Sequence, residues 1–436
     1  MKVNNLVHPE KIHKRVYTDP EIFNIEMERI FAVAWIYIGH ESQVKNPGDF
    51  FCTNIARQPV VLTRHEDGNL KVLFNRCAHR GTTVVVSESG NVKNFRCCYH
   101  GWQYGTDGTL LSIPQSKGYS EFAKLIGNTD FGMAPVPRVQ NYRGFVFASL
   151  SKIGPTLAEF LGPVRSSFDD LIDRAPQGEI EVAGGISRHL YKGNWKLIFE
   201  NLCDGLHPNC VHQSSIEAAQ EQDDSVHSDG AGEIGIRQMR QNGMPWEVWE
   251  DQVGIWAYPH GHCYLGDYHD DVKLTPGQND FHLDEYVRAL EKIKGPKITR
   301  EILNVRRWNT NIYPTISFMS QFRQLRVIRP VSVDKTEVLG FCFRLKGAPE
   351  KMFQDTIRFA NITNATASPV LTDDLETYRR IGIGLTSQGN SWISTARGLG
   401  QDKEDGFGGW QGANGLSELH IRNMFATWVD YMSSDD

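Results

Sequence analysis

Apolar residues change their period several times along this chain, and each change marks an element. Phe23, Met27, Ile30 and Phe31 recur at helical spacing behind Thr18-Asp-Pro-Glu21, a capping box with proline in the first turn, which predicts a helix over about 19–31. From Trp35 to about Leu150 the pattern shortens to β-rich runs at 60–63, 71–75, 83–86 and 144–149, divided by Gly, Asn and Asp turns. That texture predicts a small antiparallel β domain. Residues 155–175 mix Pro, Gly and acids and join it to a second domain, which opens with a strand-like run at 185–191. Trp195, Ile198, Phe199 and Leu202 then stand at i, i+3, i+4 and i+7, the buried face of a helix. Residues 311–330 read as strands, and alternation would put Arg323 and Arg329 on one face with Arg326 on the other. Near the end, 371–379 reads as a helix start with Thr372 as cap and acids in the first turn. The fold class is α+β.

The helix beginning at Trp195 leads into Glu200-Asn-Leu-Cys-Asp-Gly-Leu-His-Pro-Asn-Cys-Val-His212, which gathers two imidazoles and a carboxylate within one short run. Asp204 and His207 fall on one helical face. His212, five positions on, turns well away from His207 in a regular helix. Pro208 cannot donate to the Asp204 carbonyl, which predicts a π-like turn or break at this point. An irregular helix is expected to bring both histidines onto one ion. In a chain with fifteen histidines a close pair is more often a surface or core feature, so the weight of the metal reading comes from elsewhere in the chain.

Bulk properties narrow the choice. A chain of 436 residues accommodates two or three domains, and 40% hydrophobic residues is ordinary for a globular protein with a large core. A formal charge of −6 with no Lys/Arg-rich run argues against a nucleic-acid surface. No stretch approaches the apolar length of a membrane span, and the start lacks the features of a signal peptide, so the cytoplasm is the expected compartment, with no membrane partner. In that reducing setting, clustered cysteines read as metal ligands before disulfides. Such clusters are Cys77-Ala-His79 and Cys97-Cys-Tyr-His100-Gly-Trp102. One Cys and one His on each of two loops could hold a tetrahedral zinc, or a [2Fe-2S] cluster with two Cys on one iron and two His on the other. Zinc fingers usually pair Cys with Cys and His with His, whereas C-x-H and C-x-x-H suit two similar loops that each send one ligand to each iron. Gly81 and Gly101, just after these pairs, suit tight backbone turns. Two further histidine groups, His260/His262 and His269-Asp-Asp271, sit among Gly and Asp and read as solvated loop.

Continued through Arg80-Gly81 and His100-Gly-Trp102, the pattern C-x-H-R-G…C-x-x-H-G-W resembles the Rieske motif of the aromatic-ring-hydroxylating oxygenases. Asn194-Trp-Lys196, Glu200-Asn201 and Asp204-x-x-His207-x4-His212 resemble the catalytic motif of the large (alpha) subunits of that family. Tyr17-Thr-Asp-Pro20, Trp35-Ile-Tyr37, the run 40–43 and the run 57–59 resemble its benzoate and toluate dioxygenase branch, and the likeness runs from about residue 17 to 385. The resemblance implies a helical segment at 1–36 packing on the catalytic domain, a small antiparallel β Rieske domain at 37–154, and a larger catalytic domain at 155–436 with a curved, helix-grip-like antiparallel sheet and helices. It implies that Cys77 and Cys97 bind one cluster iron and His79 and His100 the other. It further implies a mononuclear Fe(II) held by His207, His212 and the second Asp of D-D-L-E-x-F/Y-R, here Asp374, with Asp373 as the alternative; two histidines and one carboxylate leave positions open for oxygen and substrate. Asp204 matches the family aspartate that links a mononuclear-iron histidine to a Rieske histidine of the neighbouring subunit, which implies a cyclic trimer.

The expected activity is that of the terminal oxygenase large subunit of a multicomponent ring-hydroxylating dioxygenase, inserting O2 into an aromatic substrate to give a cis-dihydrodiol. An aromatic carboxylate is favoured because an arginine among Arg323, Arg326 and Arg329 aimed into the pocket would bind one through paired hydrogen bonds. Asn201, Leu202 and Leu206 are the pocket candidates. No plant-type C-x4-C-x2-C and no convincing dinucleotide fingerprint occurs, so electrons are expected from a separate NAD(P)H-dependent reductase or ferredoxin. The resemblance also implies a small beta subunit in an alpha3beta3 assembly, or an alpha3 homotrimer. A Rieske monooxygenase or demethylase is the rival within the class. An electron-transfer or zinc-binding module without oxygen chemistry is the rival from another.

Overall fold

The structure is a computed structural model that describes residues 3–119, 125–222, 233–267 and 284–433. The chain divides into two compact units, one of Met27–Leu157 and one of Met1–Glu26 with Ala158–Asp436. The first 26 residues therefore group with the C-terminal part, and the divisions fall at 26/27 and 157/158, about ten and three residues from the expected 36/37 and 154/155.

The smaller unit is built from short antiparallel sheets. Leu70–Phe74, Gln58–Arg64, Asp49–Ile55 and Ser89–Asn91 form one; Leu110–Ser112, Gln103–Tyr104 and Phe95–Arg96 form another; Arg138–Tyr142, Phe145–Ser149 and Ile36–His40 form a third. Val60, Val61 and Leu62 are consecutive and all buried, so both faces of the strand Gln58–Arg64 are covered there. The run 83–86, expected as a strand, is not one. Asn75 takes the place of a partner strand: its Oδ1 accepts from the Val84 and Val85 amides at 3.0 and 2.9 Å, and its Nδ2 donates to the Val85 carbonyl at 2.7 Å.

The larger unit carries a nine-stranded antiparallel sheet, in the order Ile180–Lys192, Lys335–Leu345, Gln324–Ser332, Ile316–Met319, Arg307–Ile312, His262–Asp267, Val253–Tyr258, Trp410–Gln411 and Lys403–Glu404. Helices pack against it, among them Leu419–Ser433. Among the described residues no helix is long and apolar enough to cross a membrane. Beneath the helix Lys196–Leu202 lies a charged knot. The fully buried Glu26 carboxylate accepts from Lys196 Nζ at 2.5 Å, Trp195 Nε1 at 2.9 Å and Trp428 Nε1 at 2.7 Å. Three segments far apart in sequence thus converge on one buried acid.

Several local expectations change. Thr18 ends the helix Arg15–Thr18 and bonds back to the Lys14 carbonyl, while Asp19 caps the next helix, Pro20–Arg29, by accepting from the Glu21 amide. Thr372 lies inside the helix Leu371–Gly384; Ser368 Oγ accepts from its first amide. His262 is no loop residue: it is fully buried at a strand start, its Nε2 at 2.9 Å from the Phe160 carbonyl and its Nδ1 accepting from the Tyr313 amide at 3.1 Å. His269-Asp-Asp271 lies outside the described residues.

Candidate functional site

In the smaller unit the two Cys/His loops repeat each other's backbone. The Cys77 amide donates to the Thr82 carbonyl at 2.8 Å and the Gly81 amide to the Cys77 carbonyl at 2.9 Å; Cys97 with Trp102 and Gly101 with Cys97 do the same at 2.9 and 3.1 Å. Each loop closes through a glycine at positive φ, 78° for Gly81 and 71° for Gly101. Both thiols are buried and free. The His79 and His100 rings meet edge to face with centroids 4.5 Å apart, and Trp102 stacks on His79 at 5.0 Å. Tyr104 sets its hydroxyl 3.0 Å from Cys77 Sγ. Desolvation raises the Cys97 thiol and lowers His79, which the neighbouring His100 and Arg80 lower further. Among the described residues, His79 Nδ1 is buried without a hydrogen-bond partner. Two buried thiols and an orphaned imidazole nitrogen on twin loops fit a two-iron cluster with mixed ligands.

In the larger unit, one ligand atom from each of His207, His212 and Asp374 lies within 4.8 Å of the others. His207 Nε2 and His212 Nε2 stand 3.7 and 3.5 Å from Asp374 Oδ1. The backbone achieves this differently from the expected π-like turn. The helix Lys196–Leu202 ends at Cys203, and a new helix, His207–Val211, starts with Pro208 in its first turn, where a missing N–H costs nothing. The chain bends again at His212 (φ −102°, ψ 21°) before Gln213–Gln220. Two breaks, not one distorted turn, bring the imidazoles together. His207 Nδ1 lies 2.9 Å from the Asp204 carbonyl, and His212 Nδ1 lies 3.4 Å from Asp373 Oδ2. Asp373 therefore faces the far side of a histidine whose near side faces Asp374. Burial lowers His207 despite the nearby Asp374 and Asp204, which favours the neutral imidazole a metal requires. Two imidazoles and one carboxylate on converging atoms fit a mononuclear ferrous ion.

Asp204 is partly exposed and strapped in place. Its Oδ1 accepts from the Leu206 amide at 2.9 Å and from Arg397 Nη2 at 3.0 Å, leaving Oδ2 4.0 Å from His207 Nδ1. A cavity opens over the triad, lined among others by Asn201, Leu202, Gln238, Trp249, Asn309 and Arg326. Asn201 also donates to Asp374 Oδ1 at 3.1 Å. Leu206 is not a lining residue; it packs against the cluster around Trp249 and Trp308. Of the three arginines, Arg326 alone lines this cavity. Arg323 sits in a turn at φ 55° with its guanidinium bound to Thr356 Oγ1 and the Gln321 carbonyl, and Arg329 pairs across strands with Glu337 at 3.3 Å. Gln238, Trp249 and Asn309 were not singled out from the sequence; no local pattern marks them, because remote elements bring them to the cavity.

Comparison with known proteins adds the family. A Rieske [2Fe-2S] domain model matches residues 34–130, and a model of the ring hydroxylating alpha subunit (catalytic domain) matches 174–434. The large subunit of 2-halobenzoate 1,2-dioxygenase from Burkholderia cepacia is 33% identical over 395 residues, 89% of this chain and 80% of that one. Toluate 1,2-dioxygenase subunit alpha from Pseudomonas putida is 34% identical over 388 residues, 87% and 80% of the two chains. Among solved structures, naphthalene 1,2-dioxygenase from Rhodococcus sp. superposes with a TM-score of 0.79 at 25% identity, covering 97% of this chain and 94% of that one. With its catalytic-domain match spanning more than half of the chain, this protein belongs to the alpha subunits of the Rieske ring-hydroxylating oxygenases.

Proposed function

We propose that this chain is the terminal oxygenase subunit of a dioxygenase that converts a single-ring aromatic carboxylate to a cis-dihydrodiol. The observation that carries the substrate class is Arg326. This residue lines the cavity over the histidine–carboxylate triad, and among the described residues its guanidinium's hydrogen-bond partner is the neutral Asn309. Desolvation pulls Arg326 down only to about 10, so it is cationic at neutral pH. With Asp374 acting on it only at longer range, a desolvated cation hydrogen-bonded to a neutral amide favours an anionic ligand, and a guanidinium fork matches a carboxylate. The cavity, of about 100 Å3, is of the order of the ~150 Å3 that admits benzene in another protein, which supports one ring rather than several.

A ferrous ion with two histidines and one carboxylate supplies open positions for oxygen, and a Rieske cluster supplies single electrons. His207 donates from Nδ1 to the Asp204 carbonyl, which fixes the tautomer so that Nε2 is free to ligate. Asn201 holds Asp374 Oδ1 in position beneath the cavity. Leu202 gives the ring an apolar wall while Arg326 fixes its carboxylate. Asp204, held by Arg397, presents Oδ2 to a Rieske histidine of a neighbouring copy, which favours a head-to-tail trimer, with or without a small beta subunit, fed by a separate reductase or ferredoxin. The names of the 2-halobenzoate and toluate relatives agree with a benzoate-like substrate.

The test is turnover of benzoate by the reconstituted system under labelled oxygen. Two labelled atoms in one ring product are expected; a single labelled atom means monooxygenation. Arg326→Leu is expected to weaken benzoate binding roughly 10- to 150-fold, the range for a charge-assisted hydrogen bond, and unchanged affinity removes the carboxylate assignment.

A further inference from the structure

Two residues of the catalytic cavity carry a polar atom with no hydrogen-bond partner among the described residues. Gln238 and Trp249 both line it, and among the described residues Gln238 Oε1 and Trp249 Nε1 are buried without a hydrogen-bond partner. Burying such groups unsatisfied costs stability, so their retention points to a ligand that satisfies them. Neither is part of the metal-binding triad, and neither serves the carboxylate held by Arg326.

Trp249 is fixed rather than loose. It is 1% exposed and packs edge to face on Trp308, centroids 5.0 Å apart. Its benzo edge lies on Gly205, next to Asp204, where a Cβ would come within 2.9 Å of Cε3 and Cζ3. The indole approaches the ligand loop this closely because residue 205 has no side chain. Gln238 is tethered at its other end, Nε2 donating to Asn242 Oδ1 at 3.2 Å, and Asn242 also lines the cavity.

We propose that Gln238 and Trp249 recognise a second substituent on the aromatic ring, a hydroxyl, so that the preferred substrate class is a hydroxybenzoate. This rests on the aromatic-carboxylate reading. An indole N–H only donates and an amide oxygen only accepts, so together they match a group that accepts one hydrogen bond and donates another. A hydroxyl does both. With the Gln238 and Asn242 amides turned end for end, Gln238 and Trp249 would both donate, and the hydroxyl oxygen would accept from both. A methyl group does neither and would leave both atoms stranded.

The experiment is anaerobic calorimetric binding to the holoenzyme, with 2-, 3- and 4-hydroxybenzoate each compared with the toluate of the same substitution. At least one hydroxybenzoate is expected to bind about tenfold more tightly than its toluate, as for one or two neutral hydrogen bonds. In Gln238→Leu that ratio falls to within about twofold, and in Trp249→Phe, which keeps an aromatic side chain, it falls partway. Cluster absorption and iron content check that each variant is intact. The proposal is overturned if every toluate binds as well as its hydroxybenzoate in the unaltered enzyme, or if the ratio persists in both variants. Failure of the carboxylate reading is seen separately, as phenol binding as tightly as the best hydroxybenzoate.

Discussion

Changing Glu26 to Gln removes one negative charge and little else in volume, yet it leaves three donors to share a single acceptor oxygen. In the native chain this carboxylate, 0% exposed, takes Lys196 Nζ, Trp195 Nε1 and Trp428 Nε1 together, and Lys196 is equally buried. Glutamine has one acceptor oxygen for those donors and turns an NH2 toward the rest. Leaving a buried lysine without its mate costs about 3–5 kcal/mol. Part of that is relieved because desolvation already lowers Lys196, easing loss of its proton, and because its ammonium lies 4.8 Å from the Trp195 ring centroid. At roughly 2–4 °C per kcal/mol for a large domain, the catalytic unit should melt about 6–15 °C lower. Scanning calorimetry of the holoenzyme, with cluster absorption followed in parallel, separates this unit from the Rieske unit. Glu26→Leu with Lys196→Met should recover most of the loss, since replacing both partners leaves no uncompensated charge. A melting shift below about 2 °C for Glu26→Gln, or no recovery in the double variant, refutes the knot as the anchor of the helix that leads to the metal ligands.

Other consequences follow from single contacts. Burial pushes Glu200 up to about 7 from the usual 4.5, so its contribution is fully present below about 4.5 and lost as pH rises through about 7, a fall of about 3 kcal/mol at most. Glu200→Gln should flatten the melting temperature between pH 5 and 8; an unchanged slope contradicts the assignment. Asp204→Asn should leave iron and cluster content intact while slowing multiple turnover about 10- to 100-fold, read as electron transfer in rapid-mixing absorption; equal rates remove the coupling route. Tyr104→Phe deletes the hydroxyl at Cys77 Sγ, a hydrogen bond that would favour the reduced state of a bound cluster, so voltammetry should find the potential lower by some tens of millivolts; no change means that the contact does not tune the cluster.

What the sequence disclosed was chemistry held within short stretches. Cys77 and His79 share one loop, Cys97 and His100 a second, and the spacing of the pairs reflects loops whose backbone hydrogen bonds repeat. His207 and His212 were legible as a pair, but the joint was misplaced. Proline both breaks helices and begins them, and nothing local says which use Pro208 serves. The strand expected at 83–86 failed for a related reason: valines favour extended backbone, but their pairing comes from the Asn75 side chain rather than from a strand. Among the arginines, alternation correctly separated Arg326 from Arg329. It could not foresee that Arg323 sits in a turn outside the strand, nor which sheet face meets the cavity. Gln238, Trp249 and Asn309 became visible only once helices and sheet were assembled, because their roles depend on contacts across long sequence separations.

The central claim is that one chain holds a histidine-ligated iron–sulfur cluster and, at His207, His212 and Asp374, a separate iron. The most direct measurement is metal and sulfide analysis with electron paramagnetic resonance on anaerobically reconstituted protein, unaltered and as Asp374→Ala. About three irons and two sulfides per chain are expected, falling to about two irons in the variant with the Rieske signal of the reduced cluster unchanged. Zinc in place of iron, a missing Rieske signal, or an Asp374→Ala protein that keeps all its iron would contradict the account.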